Sequence, residues 1–145
     1  MSPDFSDLLR VFNEHDVDYL VVGAHALAAY GHVRATKDLD VWIRPDEANA
    51  ERAIAAIRAY GAPLHDLSSA DLTKPGTVFQ IGIPPLRIDV LTAIDGVKFD
   101  EAWDDRLQTD FGDQPTYVIS RRHLIANKKA SGRLQDLADV ESLGE

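Results

Sequence analysis

Three features of the chain predict an α+β fold, a mixed β-sheet with helices packed on it and a short helical C-terminus. Short valine-rich runs alternate with segments of helical spacing in the first half. Two apolar runs flank a double proline at Pro84-Pro85, and two helical stretches separated by Gly132 close the sequence. The 145 residues fit a single domain spanning 1–145, with a core over about 17–120 and C-terminal helices over about 121–143.

Each element has a local reason. Ser2-Pro3-Asp4 reads as an N-cap with proline at the first helical position, and Phe5, Leu8, Leu9 and Phe12 fall on one helical face. Val17–Val22 has the apolar character of a buried strand, which Gly23 ends. Residues 24–30 form a helix until Gly31, and Asp38–Ile43 is the second strand. Pro45-Asp46-Glu47 opens a helix with Ala50, Ile54, Ile57 and Tyr60 at helical spacing, closed by Gly61. Residues 64–76 are irregular with one helical turn, and 77–82 and 86–92 form a hairpin around Ile83-Pro84-Pro85. A short helix is expected over 100–110, a helix capped by Ser120 to about Ser131, and a last helix over about 134–143.

Composition excludes several classes. The chain has no cysteine, so disulfides, thiolate-bound zinc, iron–sulfur centres and thiol catalysis are ruled out. No apolar stretch reaches the ~20 residues of a membrane span, and the N-terminus lacks the form of a signal peptide, so a cytoplasmic protein without a membrane partner is expected. A formal net charge of −9 is unfavourable for coating duplex DNA. Residues 114–135 contain bases and no acid, which suits either a local anion site or a solvated helix face.

The chemistry concentrates between Gly23 and Asp40. Strand, glycine, helix is the order that aims free backbone N–H groups at an anion, although it also serves a plain tight turn. Asp38 and Asp40 lie two apart on a strand and share a face. Such a pair is either solvated surface alternation or a cation site. Asp89, in the alternating run 87–91, is a third carboxylate that converges on them if the two strands are neighbours. Three acids can hold two magnesium ions. The other reading is that Asp89 pairs with Arg87.

Gly23-Ala24, a spacer of thirteen residues, Asp38-Leu39-Asp40-Val41 and later Ile88-Asp89-Val90 together resemble the pattern of the polymerase-beta-like nucleotidyltransferase superfamily. The flanks 19–23 and 34–40, and the C-terminal Lys128 followed by Arg133-x-x-Asp136-x-x-Asp139, look like its small bacterial branch of minimal nucleotidyltransferases and AbiEii-type toxin–antitoxin proteins. The resemblance implies transfer of a nucleoside monophosphate from a nucleoside triphosphate to a hydroxyl. It implies Asp38, Asp40 and Asp89 as ligands of two Mg2+ ions, with Mn2+ as a substitute. It also implies Lys128 near a phosphate, Asp136 in a supporting or base-like role, and Gly23, Ala24, His25 and Arg133 around the nucleotide. The family usually has Gly or Ser where this chain has Ala24, which offers an N–H but no hydroxyl. His25 either faces the phosphates or is a hydrogen-bonded histidine at the edge of the core.

The acceptor implied is a protein side chain such as that of a partner toxin, a small molecule, or, less in keeping with the charge, an RNA end. The alternative is a nucleotidyltransferase-like module that acts as an antitoxin by contact, without catalysis. Rival chemistries lack their motifs: no Walker-type loop, no Gly-x-Gly-x-x-Gly and no Gly-x-Ser-x-Gly is present. In a dehalogenase-type phosphatase the apolar strand precedes its Asp-x-Asp, whereas here Val41-Trp42-Ile43 follows it.

Overall fold

The middle of the sheet is built from apolar runs, and its central strands are the most buried. The computed structural model describes residues 3–32, 38–83 and 86–144. Ser2, the stretch 33–37 and the turn prolines 84 and 85 lie outside the described residues. In chain order the elements are α1 (Pro3–Glu14), β1 (Tyr19–Val22), α2 (Gly23–Ala29), β2 (Asp38–Ile43), α3 (Glu47–Tyr60), a 3-10 turn (Asp71–Thr73), β3 (Val78–Ile83) and β4 (Leu86–Leu91). They continue with α4 (Phe99–Asp104), β5 (Leu107–Phe111), β6 (Gln114–Val118), α5 (Arg121–Ser131) and α6 (Leu134–Ser142).

Among the described residues the six strands form one mixed sheet in the order β3-β4-β2-β1-β6-β5. Strand β2 runs antiparallel to β1 and parallel to β4, with Asp38 opposite Arg87 and Asp40 opposite Asp89. Strand β6 runs parallel to β1 and antiparallel to β5. Because side chains alternate, Asp38, Asp40 and Trp42 share one face while Leu39, Val41 and Ile43 share the other. On the first face Trp42 meets Phe99 of α4 edge-on, ring centroids 5.0 Å apart. On the second, Phe12 of α1 packs on Tyr19, the register partner of Ile43.

Helix ends follow their local chemistry. Asp46 caps α3 by accepting from the Asn49 N–H, and Gly61 closes it in the left-handed conformation. Ser120 caps α5 through the His123 N–H, and Gly132 ends it. The buried stripe of α3 is Ala50, Ala53, Ala56 and Ile57, with Ile54 and Tyr60 only partly buried, so small residues set a close approach to the sheet. Asn49 is fully buried; its side chain accepts from the Asp18 N–H and donates to the Asp18 and Arg44 carbonyls, fastening α3 to β1 and β2.

One expectation is corrected. The short helix expected over 100–110 ends at Asp104, and Leu107–Phe111 is an edge strand paired with the unforeseen β6. Strand β5 is polar and largely exposed, so no apolar alternation announces it, and it pairs with β6 across the two-residue turn Gly112-Asp113.

Candidate functional site

The site forms where β1 ends. Gly23 has a φ of +69°, a conformation that a side chain disfavours. A Cβ at Gly23 would lie 2.4 Å from Asp40 Oδ2, so glycine is needed both for the turn and for the approach of the carboxylate. Helix α2 starts at this corner with Val22 in the N-cap position, which offers no side-chain hydrogen bond to the first amides.

Parallel pairing of β2 with β4 brings the three carboxylates together. Asp40 faces Asp89 directly across the ladder, and Asp38 faces Arg87. Burial, and then the charges of Asp89 and Asp38, push the Asp40 carboxyl up to about 6 despite Arg87 and Lys128 nearby. Asp89 is 8% exposed. Arg87 Nη2 donates to Asp38 Oδ2 at 3.1 Å and to Asp89 Oδ2 at 3.3 Å. Its Nε lies 3.1 Å from Asp89 Oδ1, a charge contact without hydrogen-bond alignment. The structure therefore holds both readings of Asp89: it converges with the other acids, and it pairs with Arg87.

The opposite wall comes from the C-terminal helices. Lys128 is buried, with Nζ 2.9 Å from Asp139 Oδ2 and 3.5 Å from Asp136 Oδ1. Arg133 Nε donates to Asp136 Oδ2 at 2.8 Å, and Gln135 donates to Asp139 Oδ1 at 2.9 Å. Burial alone would raise the Asp136 carboxyl, but the Arg133 hydrogen bond and the charges of Arg133 and Lys128 hold it below its ordinary value.

These walls enclose two adjoining hollows that share Gly23, Asp40, Lys128, Arg133 and Asp136. One, of about 290 Å³, reaches Ala24 and Asp38. The other, of about 220 Å³, extends to Leu91, Asp95, Asn127 and Ser131. A larger hollow of about 340 Å³ lies at the other end of β1, where Asp18 is paired with Arg44 at 2.8 Å. The glycine corner and the clustered acids are in the first two.

Of the residues singled out in the sequence, Gly23, Ala24, Asp38, Asp40, Lys128, Arg133 and Asp136 line these hollows. Asp89 stands behind Asp40. His25 lies apart from the lining: its ring packs edge-on to Phe5 at 5.4 Å and tilted to Phe111, and burial lowers its pKa. Sequence reasoning gave no site role to Arg87 or Asp139. Arg87 was visible only as a rival partner for Asp89, and Asp139 only as the end of the Arg-x-x-Asp-x-x-Asp pattern.

The donor set suits a hard cation, since it is all carboxylate oxygen and carries a surplus of negative charge around Asp40. Among the described residues no group of three acids or histidines is placed to hold a metal ion. The Arg87 guanidinium stands between Asp38 and Asp89 instead. The oxygen donors are of the kind magnesium takes, with the Arg87 guanidinium standing among them.

No family model and no curated protein matches the chain. Solved structures do. The lincosamide antibiotic adenylyltransferase LnuA, in its lincomycin-bound structure, superposes with a TM-score of 0.62 at 13% identity, covering 100% of this chain and 97% of that one. A putative nucleotidyltransferase from Thermotoga maritima follows at 0.60 and 14%, covering 97% and 88%. An antigenic nucleotidyltransferase-like protein from Paracoccidioides brasiliensis gives 0.54 and 15%, covering 95% and 72%. The mixed sheet with its helices has the fold of nucleotidyltransferases. Among the described residues no helix is long and apolar enough to cross a membrane.

Proposed function

We propose that the chain is a magnesium-dependent nucleotidyltransferase in which a hydroxyl attacks the α-phosphate of a nucleoside triphosphate, takes the nucleoside monophosphate and releases pyrophosphate. One observation carries this reading: Asp40, its carboxyl pushed up to about 6 beside Asp89 and Asp38, faces the glycine corner at Gly23. Three acids on one face, Asp89 buried and Asp40 partly so, repel one another, and a cation taken up there would relieve that repulsion.

Asp38, Asp40 and Asp89 would hold the metal. Bound there, magnesium supplies Lewis acidity to the attacking hydroxyl and neutralises phosphate oxygens. The chain's own groups bind and orient. The backbone at Gly23 and Ala24 lines the larger of the two hollows, where its N–H groups would donate to phosphate oxygens. Arg133, with a side chain 80% exposed, extends a cation to the same hollow. Lys128 is committed to Asp136 and Asp139, so it fixes α5 against α6 and places a positive charge beside Asp40. Asp136, held ionised by Arg133 and Lys128, suits support better than proton abstraction.

The acceptor favoured is small. A neighbour matched over nearly its whole length is named for acting on a lincosamide antibiotic, and a chain of charge −9 disfavours a polyanionic RNA. A hydroxyl on a partner toxin, in a toxin–antitoxin pair, is the next choice. The contact-only module is the second reading, and two observations favour it: Ala24 in place of Gly or Ser, and acids already countered by Arg87. The test is label transfer from a nucleoside triphosphate with Mg2+ to a panel of small hydroxyl compounds and candidate proteins, alongside thermal melting. Transfer, or a rise in Tm with Mg2+ and nucleotide together, supports the enzyme. Melting indifferent to both, with no transfer, favours the contact-only module over the enzyme.

A further inference from the structure

Arg87 is the one base on the acid face of β2 and β4, and its pairing is unusual. A guanidinium that holds a carboxylate permanently does so with two parallel hydrogen bonds. Here a single Nη2 is divided between Asp38 and Asp89, while Nε sits 3.1 Å from Asp89 Oδ1 out of line. The side chain is 30% exposed, so it has a way out to solvent. It sits on β4 directly opposite Asp38 and two residues from Asp89, in the middle of the donor set that a cation would need.

We propose that Arg87 is a resident counter-ion: it occupies the gap between Asp38 and Asp89 in the metal-free protein and leaves it when a divalent cation enters. The inference rests on the metal site proposed above and adds a competitor to it. Two like charges facing each other across a ladder, Asp40 and Asp89, destabilise the sheet, and the guanidinium offsets part of that repulsion. A divalent ion offers twice the charge but meets a positive group already in place. A nucleoside triphosphate entering with the metal supplies oxygens to which the released guanidinium can turn. Metal uptake is then weak alone and strengthened by nucleotide, so the empty protein stays folded without metal.

The experiment is an Mn2+ titration followed by electron paramagnetic resonance, without nucleotide, on wild type and Arg87→Gln. Removing one positive charge a few ångströms from the site should tighten Mn2+ binding by about tenfold or more at low salt. The same variant should lower the Tm measured in chelator and lose most of the gain in Mn2+ affinity that a non-hydrolysable triphosphate gives to wild type. Equal or weaker Mn2+ binding by Arg87→Gln, with wild type binding measurably, overturns the role of Arg87 and leaves the metal site standing. No binding by either protein overturns both. Should Arg87→Gln fail to fold by circular dichroism, the wild type still decides. Its Arg87 Nε–H resonance, assigned through Arg87→Lys, should shift on saturation with Mg2+, and an unmoved signal at saturation overturns the proposal.

Discussion

The two walls of the site are charged unequally. On the sheet, among the described residues, Arg87 pairs with Asp38 and Asp89, and Asp40 is pushed up to about 6. On the helices, Asp136 and Asp139 are served by Lys128 and Arg133 with Gln135 in support, and Asp136 lies below its ordinary value. Burial raises both carboxyls; at Asp136 the Arg133 hydrogen bond and the nearby cations outweigh it, and at Asp40 the charges of Asp89 and Asp38 add to it. Asp136 lies between Arg133 and Lys128, whereas Asp40 faces Asp89 and Asp38. On the function proposed above, the sheet wall is where a cation and its phosphates would bind.

Breaking the sheet wall should have the largest effect on chemistry and the least on stability. Asp40→Asn keeps the shape and removes the repelled charge. Label transfer should fall at least ~10³-fold, about 4 kcal/mol of transition-state stabilisation. The Tm in chelator should hold or rise. A fall in both would mean that Asp40 is structural.

Breaking the helical wall should do the reverse. Lys128→Met leaves Asp136 and Asp139 buried without their ammonium, and denaturant unfolding should show a loss of about 3–5 kcal/mol. Adding Asp139→Asn to that variant should recover a large part of it. If the double variant is no more stable than the single, the pair is not coupled and the contrast between the walls is weaker than drawn.

pH separates the walls without mutation. The Asp40 carboxyl stands above its unfolded value of 3.8, so the native state binds the extra proton between about pH 4 and 6. Its contribution is favourable at the low end and is lost as pH rises through about 6, by up to about 3 kcal/mol. Asp136 has the opposite sign: its pKa is lowered, so it stabilises above its unfolded value and loses that contribution as pH falls through its folded one. Unfolding free energies measured in chelator at pH 4 to 7 should decline in wild type and be flatter in Asp40→Asn. Saturating Mg2+ with nucleotide should remove much of the decline.

Much of this contrast was legible in the sequence, and the part that was not has a physical cause. Asp38 and Asp40 share a face through strand periodicity alone, and β1, β2, α3 and α5 are bounded by local signals such as Asp46, Gly61, Ser120 and Gly132. That Asp89 faces Asp40 depends on a parallel pairing that no local signal fixes, so it entered as a condition. Lys128 reads as a phosphate contact in the sequence; its grip on Asp139 depends on how α6 folds back against α5. The hairpin β5–β6 was missed for a different reason, since it is local and turns at Gly112-Asp113. Gln108, Thr109 and Asp110 are polar on both faces of an edge strand, and their pairing with residues 115–117 is not encoded in a period.

The smallest effect tests the joint between the glycine corner and the acids. Gly23→Ala places a Cβ where φ is +69°, a strain of about 1–2 kcal/mol. The nearest obstacle is Asp40 Oδ2, the end of a side chain that can turn, so the fold should survive with a modest loss in Tm. The turned carboxylate, however, no longer meets Asp38 and Asp89 in the same geometry. Mn2+ affinity and label transfer should therefore fall by more than the loss of stability alone explains, with a normal circular dichroism spectrum. If Gly23→Ala loses stability but binds Mn2+ and transfers label as wild type does, the glycine serves the turn alone, and the approach of Asp40 to the corner has no part in the chemistry.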